Sequence, residues 1–263
     1  MTDHAILVLR LAAPLQSWGG PSHYNRRETR PQPTKSGVLG LLAAAQGRAR
    51  EASITDLVDL RLAVRVDQPG TLLRDYHTYS DYRGTPLPSA KVNTKGVQTK
   101  TSPAKYTGVT QRFYLQDAVF VAALRGPVTL LERLEHAVRH PVYPLSLGRR
   151  SCPPTGPVSL GLQGDIELAD ALTSVPWQAS AHRRSQVQGT EVTLEVTIED
   201  PAGDELALDV PDTYDLKTGT AFGRRSVRHQ WVTIPTGKQA TAAADGTSPS
   251  TDPGHDPFAL LGW

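Results

Sequence analysis

Between Val38 and Ala45 the chain reads Val-Leu-Gly-Leu-Leu-Ala-Ala-Ala, with no polar side chain. A helix that is apolar on nearly every side has to be buried, so the rest of the chain must be built around it. Pro33 sets an extended entry, and Thr34 or Ser36 suits the cap of the first turn. Gly37 and Gly40 stand three apart and leave one face bare, which predicts the close approach of another backbone. Each glycine costs roughly 1 kcal/mol against alanine inside a helix, so a local contact is expected to offset it. Gly47 marks the C-terminal stop.

The start of this helix has an unusual electrostatic character. Free N–H groups and the positive end of the dipole attract anions there. Yet Arg26, Arg27, Arg30 and Lys35 all precede it or stand at its first position. One reading is a phosphate site, with Ser36 beside it; the other is a loop of solvated charges. Spacing alone does not choose between them. The segment is not a P-loop, because Thr34 rather than glycine precedes the lysine.

At 263 residues the chain is long enough for one large domain or two small ones, with a core that needs no disulfide or metal. Its single cysteine, Cys152, excludes an intrachain bridge and a cysteine-based zinc cluster. It reads as a small packed side chain rather than a nucleophile, and such usage suits a reducing cytoplasm. No apolar run reaches the length of a membrane span, and the first residues lack the basic start of a secretory signal. A cytoplasmic protein with no membrane association, cofactor or metal is expected. Net charge is only +2, but its distribution is uneven. Arg74, Arg83, Lys91, Lys95, Lys100, Lys105 and Arg112 crowd one segment, whereas Glu191, Glu195, Glu199, Asp200, Asp204, Glu205 and Asp209 crowd another. Basic segments hidden in a near-neutral total fit nucleic-acid binding on one side.

In chain order, Ala5–Leu11 reads as a central strand and 12–21 as a loop holding Trp18, a packing residue first and a base-stacking one second. A short helix fits 53–60. Leu60–Asp67 alternates with period two, which predicts a strand with one wet face. Leu72–Thr78 is extended. Residues 80–110 have neither period, and long aperiodic segments in compact domains are commonly functional. Their basic residues interleave with Tyr76, Tyr79, Tyr82, Tyr106, Phe113 and Tyr114, which suits backbone neutralisation with base stacking. Arg112–Leu115 and Ala118–Leu124 read as one long strand interrupted at Gln116-Asp117. An amphipathic helix spans about 127–139, ended by Pro141. Gly148-Arg149-Arg150-Ser151 then reads as an anion-cradling turn.

Strand, helix, strand, projecting loop, strand, helix, strand is the order of an α+β ferredoxin-like (RRM-like) domain over 1–163. From 164 to 236 the texture becomes that of a small β-rich domain, with strands at 190–199, 206–210 and 230–234. The acidic face of 190–199 and a second Gly-Arg-Arg-Ser at 223–226 are its marks. Residues 237–263 read as a flexible tail ending in an apolar Phe-Ala-Leu-Leu-Gly-Trp.

Several stretches coincide with one family. Leu9–Gly19, Pro33–Leu42, Leu73–Thr78, Asp81–Gly84, Gln111–Leu115 and Tyr143–Pro153 resemble, in order, the Cas-five family of the RAMP superfamily, the subunit found in the type I-E CRISPR surveillance complex Cascade. The resemblance spans residues 4 to about 160. It implies a modified ferredoxin-like fold with a protruding thumb near 80–110, and a non-catalytic ribonucleoprotein subunit that grips the 5′ handle of CRISPR RNA and caps the backbone filament in antiviral defence. It implies as partners the backbone subunit CasC, the large subunit CasA and, through the complex, target DNA. The expected RNA contacts are Arg26, Arg27, Arg30, Lys35, Ser36, Arg74, His77, Arg83, Lys100, Lys105, Tyr106, Arg112, Gly148, Arg149 and Arg150. Cas-five proteins of another subtype cut precursor RNA themselves. That leaves a metal-independent endoribonuclease as the alternative, with Tyr76, His77 and Lys35 or Lys100 as its groups. A purely protein–protein scaffold is a third reading.

Overall fold

Strand β1 (His4–Ala12) is the apolar run expected at the N-terminus, and it is buried along nearly its whole length. The computed structural model describes residues 3–20, 25–81, 94, 106–215, 217 and 221–238. After β1 come two short strands, β2 (Leu15–Gln16) and β3 (Arg26–Arg27), and the apolar helix α1 (Lys35–Ala45). Helix α2 (Thr55–Val58) leads to β4 (Arg61–Gln68) and β5 (Thr71–Asp81). Next are β6 (Tyr106–Gln116), β7 (Val119–Pro127), α3 (Val128–Arg139) and β8 (Ser159–Gln163). Helices α4 (Leu168–Ser174) and α5 (Ala181–Gln186) precede β9 (Glu191–Glu199), β10 (Glu205–Pro211) and β11 (Phe222–Pro235).

Among the described residues the strands form two sheets. The larger has seven strands in the order β10-β11-β9-β4-β7-β1-β8, and its pairs are antiparallel throughout. Helices α1 and α3 cover one face over the main core of Leu7, Leu9, Leu11, Leu62, Phe120 and Leu124. Helix α4 covers the other face over Ile6, Val8, Ala63, Val121 and Ile198. The strands beyond 164 continue this sheet without a break, through Ala63↔Ile198, Val64↔Thr197 and Arg65↔Val196. In the second sheet β6 pairs along its length with β5, and also with β2 and β3.

Three expectations change here. Strand β4 has no wet face: six of its eight residues are buried. Arg65 is fully buried, and its guanidinium grips Asp67 at 2.6 Å while donating to the carbonyls of Leu172, Val175 and Pro176. Burial of that charge is tolerable because carboxylate and carbonyls together surround it. The long strand expected over 112–124 is two strands in different sheets. Asp117 takes a left-handed φ of 56° between them, which breaks the extended run. The aperiodic 80–110 segment begins and ends in the arms of a two-stranded ribbon, paired from Thr71↔Gln116 to Asp81↔Tyr106. Residues 82–93 and 95–105 lie outside the described residues, as does the tail beyond 238.

Helix α1 is buried as expected, from Val38 through Ala45 except at Gly40 and Ala44. Fully burying each leucine contributes about 2 kcal/mol. Its bare glycine face is met by aromatic rings rather than by a backbone. A Cβ on Gly37 would stand 2.7 Å from the Trp18 ring, and one on Gly40 3.4 Å from the Tyr214 hydroxyl. Gly47 supplies the expected stop at φ 72°. No helix among the described residues is long and apolar enough to cross a membrane.

Candidate nucleic-acid interface

Trp18 is the hub on which the basic segments meet. It is fully buried, its indole N–H donates to Gln16 Oε1 at 3.1 Å, and Gly37 leaves room for its ring. It is therefore a packing residue. Its backbone fixes two neighbours. The Trp18 N–H donates to Thr29 Oγ1 at 2.9 Å, and its carbonyl accepts from the Arg30 N–H at 2.7 Å. One residue earlier, the Ser17 N–H donates to Leu147 O at 3.1 Å, which brings in the Gly148 turn. Gly148 has φ 92°, and a Cβ there would lie 1.7 Å from Ser17 O, so only glycine fits.

Arg149 ties the turn to the second sheet. Its guanidinium donates to Phe113 O at 3.0 Å and Arg27 O at 2.9 Å, and lies 4.7 Å over the Tyr114 ring. Strand β3 is thereby held parallel to β6, with Arg26 opposite Gln111 and Arg27 opposite Arg112. Arg26 is exposed, paired with Glu28 at 2.8 Å and placed 5.2 Å from the Phe113 ring centre. The result is an open cleft of about 570 Å³, with walls from Ser17, Arg27, Arg112, Gly148, Arg149 and the first turn of α1. The Arg26–Lys35 loop and the Gly148 turn thus share one groove.

Lys35 is placed inside the protein rather than along the open cleft. Expected among the phosphate contacts, it is buried and its ammonium bonds both oxygens of Glu199 at 2.8 and 3.0 Å. The anion at the helix start is also the protein's own. The Lys35 N–H donates to Asp209 Oδ2 at 2.8 Å, and the Gly37 N–H to Thr34 Oγ1 at 3.2 Å. Asp209 sits where the β10–β11 register shifts, and a bulge re-aims a side chain in this way. Asp209 and Glu199 come from the far end of the chain, so nothing local in the sequence announced them. Ser36 remains at the cleft, its carbonyl accepting from the Tyr214 hydroxyl at 2.5 Å. Burial pushes the Tyr214 phenol up, which keeps its proton on that bond.

The other expected contacts divide. Arg30 packs its side chain at Gly20, on the cleft's rim. Arg150 is exposed beside Arg149. Arg74 and His77 are exposed on β5, opposite Phe113 and Thr110, and lie outside the cleft walls. Arg83, Lys100 and Lys105 lie outside the described residues, and so does the side chain of Tyr106. Sequence reasoning missed Glu28, Thr110, Tyr214 and Phe222, which also line the cleft. Tyr214 comes from the β10–β11 connection and Phe222 from the start of β11, in the C-terminal part whose acidic texture pointed away from a nucleic-acid site. Cys152 is buried, and burial pushes its thiol up, so it is a packed side chain.

The fold is a mixed α+β one on antiparallel sheet, with Arg27, Arg112 and Arg149 gathered along one cleft, and comparison with known proteins says which family it serves. The model of the CRISPR-associated protein family Cas_Cas5 matches residues 6–232, and the chain belongs to this family. The Cascade subunit CasD of the CRISPR system of Escherichia coli (strain K12) is 39% identical over 173 residues, covering 59% of this chain and 70% of that protein. A chain of a CRISPR RNA-guided surveillance complex superposes with a TM-score of 0.70 at 31% identity, over 88% of this chain and 91% of that one. A Cas protein crystal structure gives 0.61 at 34% identity, over 88% and 95%.

Proposed function

We propose that this chain is a non-catalytic subunit of a type I-E CRISPR surveillance complex. It grips the 5′ handle of the CRISPR RNA in the cleft between β3, β6, the Gly148 turn and the first turn of α1. CasC, CasA and, through the complex, target DNA are its partners, and the cytoplasm is its compartment. The observation that carries this reading is the meeting of Arg27, Arg112 and Arg149 from three distant segments along one cleft. Guanidinium groups along a groove neutralise a phosphate backbone and set its path.

The ferredoxin-like reading of residues 1–163 is supported by the order β4-β7-β1-β8, antiparallel throughout, with α1 between β1 and β4 and α3 between β7 and β8. The β5–β6 ribbon, paired as far as Asp81↔Tyr106, supports the thumb reading. Residues 164–236 act as a β-rich extension that closes the cleft with Tyr214 and Phe222. The endoribonuclease alternative is weakened by geometry. Tyr76 and His77 are neighbours in β5, so their side chains point to opposite faces, and Lys35 is held by Glu199.

The test is binding of a single-stranded handle RNA by the full chain at two salt concentrations. About four phosphate contacts on a single strand predict a roughly fifty-fold loss of affinity between about 50 and 200 mM salt. An unchanged affinity would remove the cleft as the RNA site. Cleavage of repeat RNA in chelator, abolished by His77→Ala, would restore the nuclease reading.

A further inference from the structure

Strand β11 is long enough to do two things at two ends. Its first residue, Phe222, lines the RNA cleft. Nine residues on, about 30 Å along an extended strand, Trp231 is 69% exposed, the most exposed large apolar side chain among the described residues. Its face is defined by pairing. Val64↔Thr197, Thr197↔His229 and Glu195↔Trp231 place these side chains on the α1 side of the sheet, beyond the helix's cover.

The charge there has the opposite sign to the cleft. Glu195 lies directly across from Trp231, Glu191 is on the same face two pairs along, and Glu205 stands 3.4 Å from His229 Nε2. Glu199 and Asp209 on this face are already engaged by Lys35 and Arg225, whereas Glu191 and Glu205 are exposed and Glu195 is half-exposed. Gln32 holds the nearby loop to this surface, donating to Glu195 at 2.9 Å and accepting from Thr197 at 2.8 Å. An exposed indole on a strand face that carries Glu191, Glu195 and Glu205, with His229 between the last two, disfavours an RNA backbone and suits a polypeptide, since aromatic anchors and complementary charge are what protein interfaces use.

We infer that the Trp231 face is a protein-docking surface whose partner supplies an apolar pocket for the indole, rimmed by lysine or arginine. This rests on the chain being a subunit of an RNA–protein assembly, and the test separates the two. The full chain is co-expressed with the other subunits of its complex and CRISPR RNA, and a carbodiimide joins carboxylates to adjacent lysines. Crosslinks from Glu191, Glu195 or Glu205 to lysines of a different protein subunit are expected. Trp231→Ala should weaken incorporation by roughly thirtyfold or more, and the pair Glu191→Lys and Glu205→Lys, which leaves the Gln32–Glu195 bond intact, should act likewise. Handle-RNA affinity of the isolated chain should stay unchanged in both variants. Full incorporation of both variants would overturn the inference, as would crosslinks to a second copy of this chain, or a fall in RNA affinity that tracks the loss of incorporation. Should the unaltered chain neither bind RNA nor enter the assembly, the proposed function fails instead.

Discussion

Gly148-Arg149-Arg150-Ser151 and Gly223-Arg224-Arg225-Ser226 are the same four residues in two structures. The first is a turn with its glycine at φ 92° against Ser17 O. The second is extended within β11, with Gly223 opposite Val210. In the turn, Arg149 donates to two backbone carbonyls and keeps its charge beside the cleft. In the strand, Arg225 is buried between Asp209 at 2.7 Å and Glu199 at 3.7 Å, and its charge is neutralised. Carbonyl partners leave a guanidinium cationic towards a ligand, whereas carboxylate partners turn it into internal scaffolding. A short basic motif therefore has no function of its own until its acceptors are known.

The glycines should separate the two copies most sharply. Gly148→Ala faces both a positive φ and a backbone collision, and a loss of about 4 kcal/mol or more is expected in denaturant unfolding. Gly223→Ala meets only ordinary contacts, the nearest at 3.6 Å, and should change stability by about 0.5 kcal/mol or less. Equal losses would break the comparison.

Arg225→Met takes the bidentate guanidinium from the buried Asp209 carboxylate and should cost about 3 kcal/mol, read by the same unfolding curves. Replacing Lys35 by Met as well should cost less than the sum of the two single changes, because both cations serve Glu199. Strict additivity would mean that the network is not shared.

Arg149→Lys keeps the charge but loses the fork that reaches two carbonyls. A stability loss of about 1 kcal/mol is expected, with handle-RNA affinity down about tenfold as β3 loosens from β6. Arg150→Ala is the mildest change. Stability should hold within about 0.5 kcal/mol, while the salt slope of RNA binding should fall by roughly 0.7, one single-strand phosphate contact. A slope unaltered by Arg150→Ala would confine the RNA to the Arg149 side of the turn.

Much of the fold was legible because period and punctuation are local signals. Helix α1 declared itself by composition, β9 by strict alternation and the Gly148 turn by glycine and proline. The wet face wrongly expected for β4 shows where that stops. Arg65 and Asp67 read as solvent residues, but α4 and its connection cover them. Half of the candidate site was legible in Arg26, Arg27 and the Gly148 turn. The other half was not, because Tyr214 and Phe222 reach the cleft from more than 170 residues beyond α1's start.

By itself the amino-acid order settled which segments are apolar, which carry cations, and which must turn, since these follow from side-chain chemistry within a few residues. Folding decided which cations stay available. Lys35, nearest the helix start, was taken by Glu199, and the helix dipole was satisfied by Asp209. The physical reason is that the strength of a charge depends on its nearest counter-charge and on exclusion of water, and both come from residues distant in sequence.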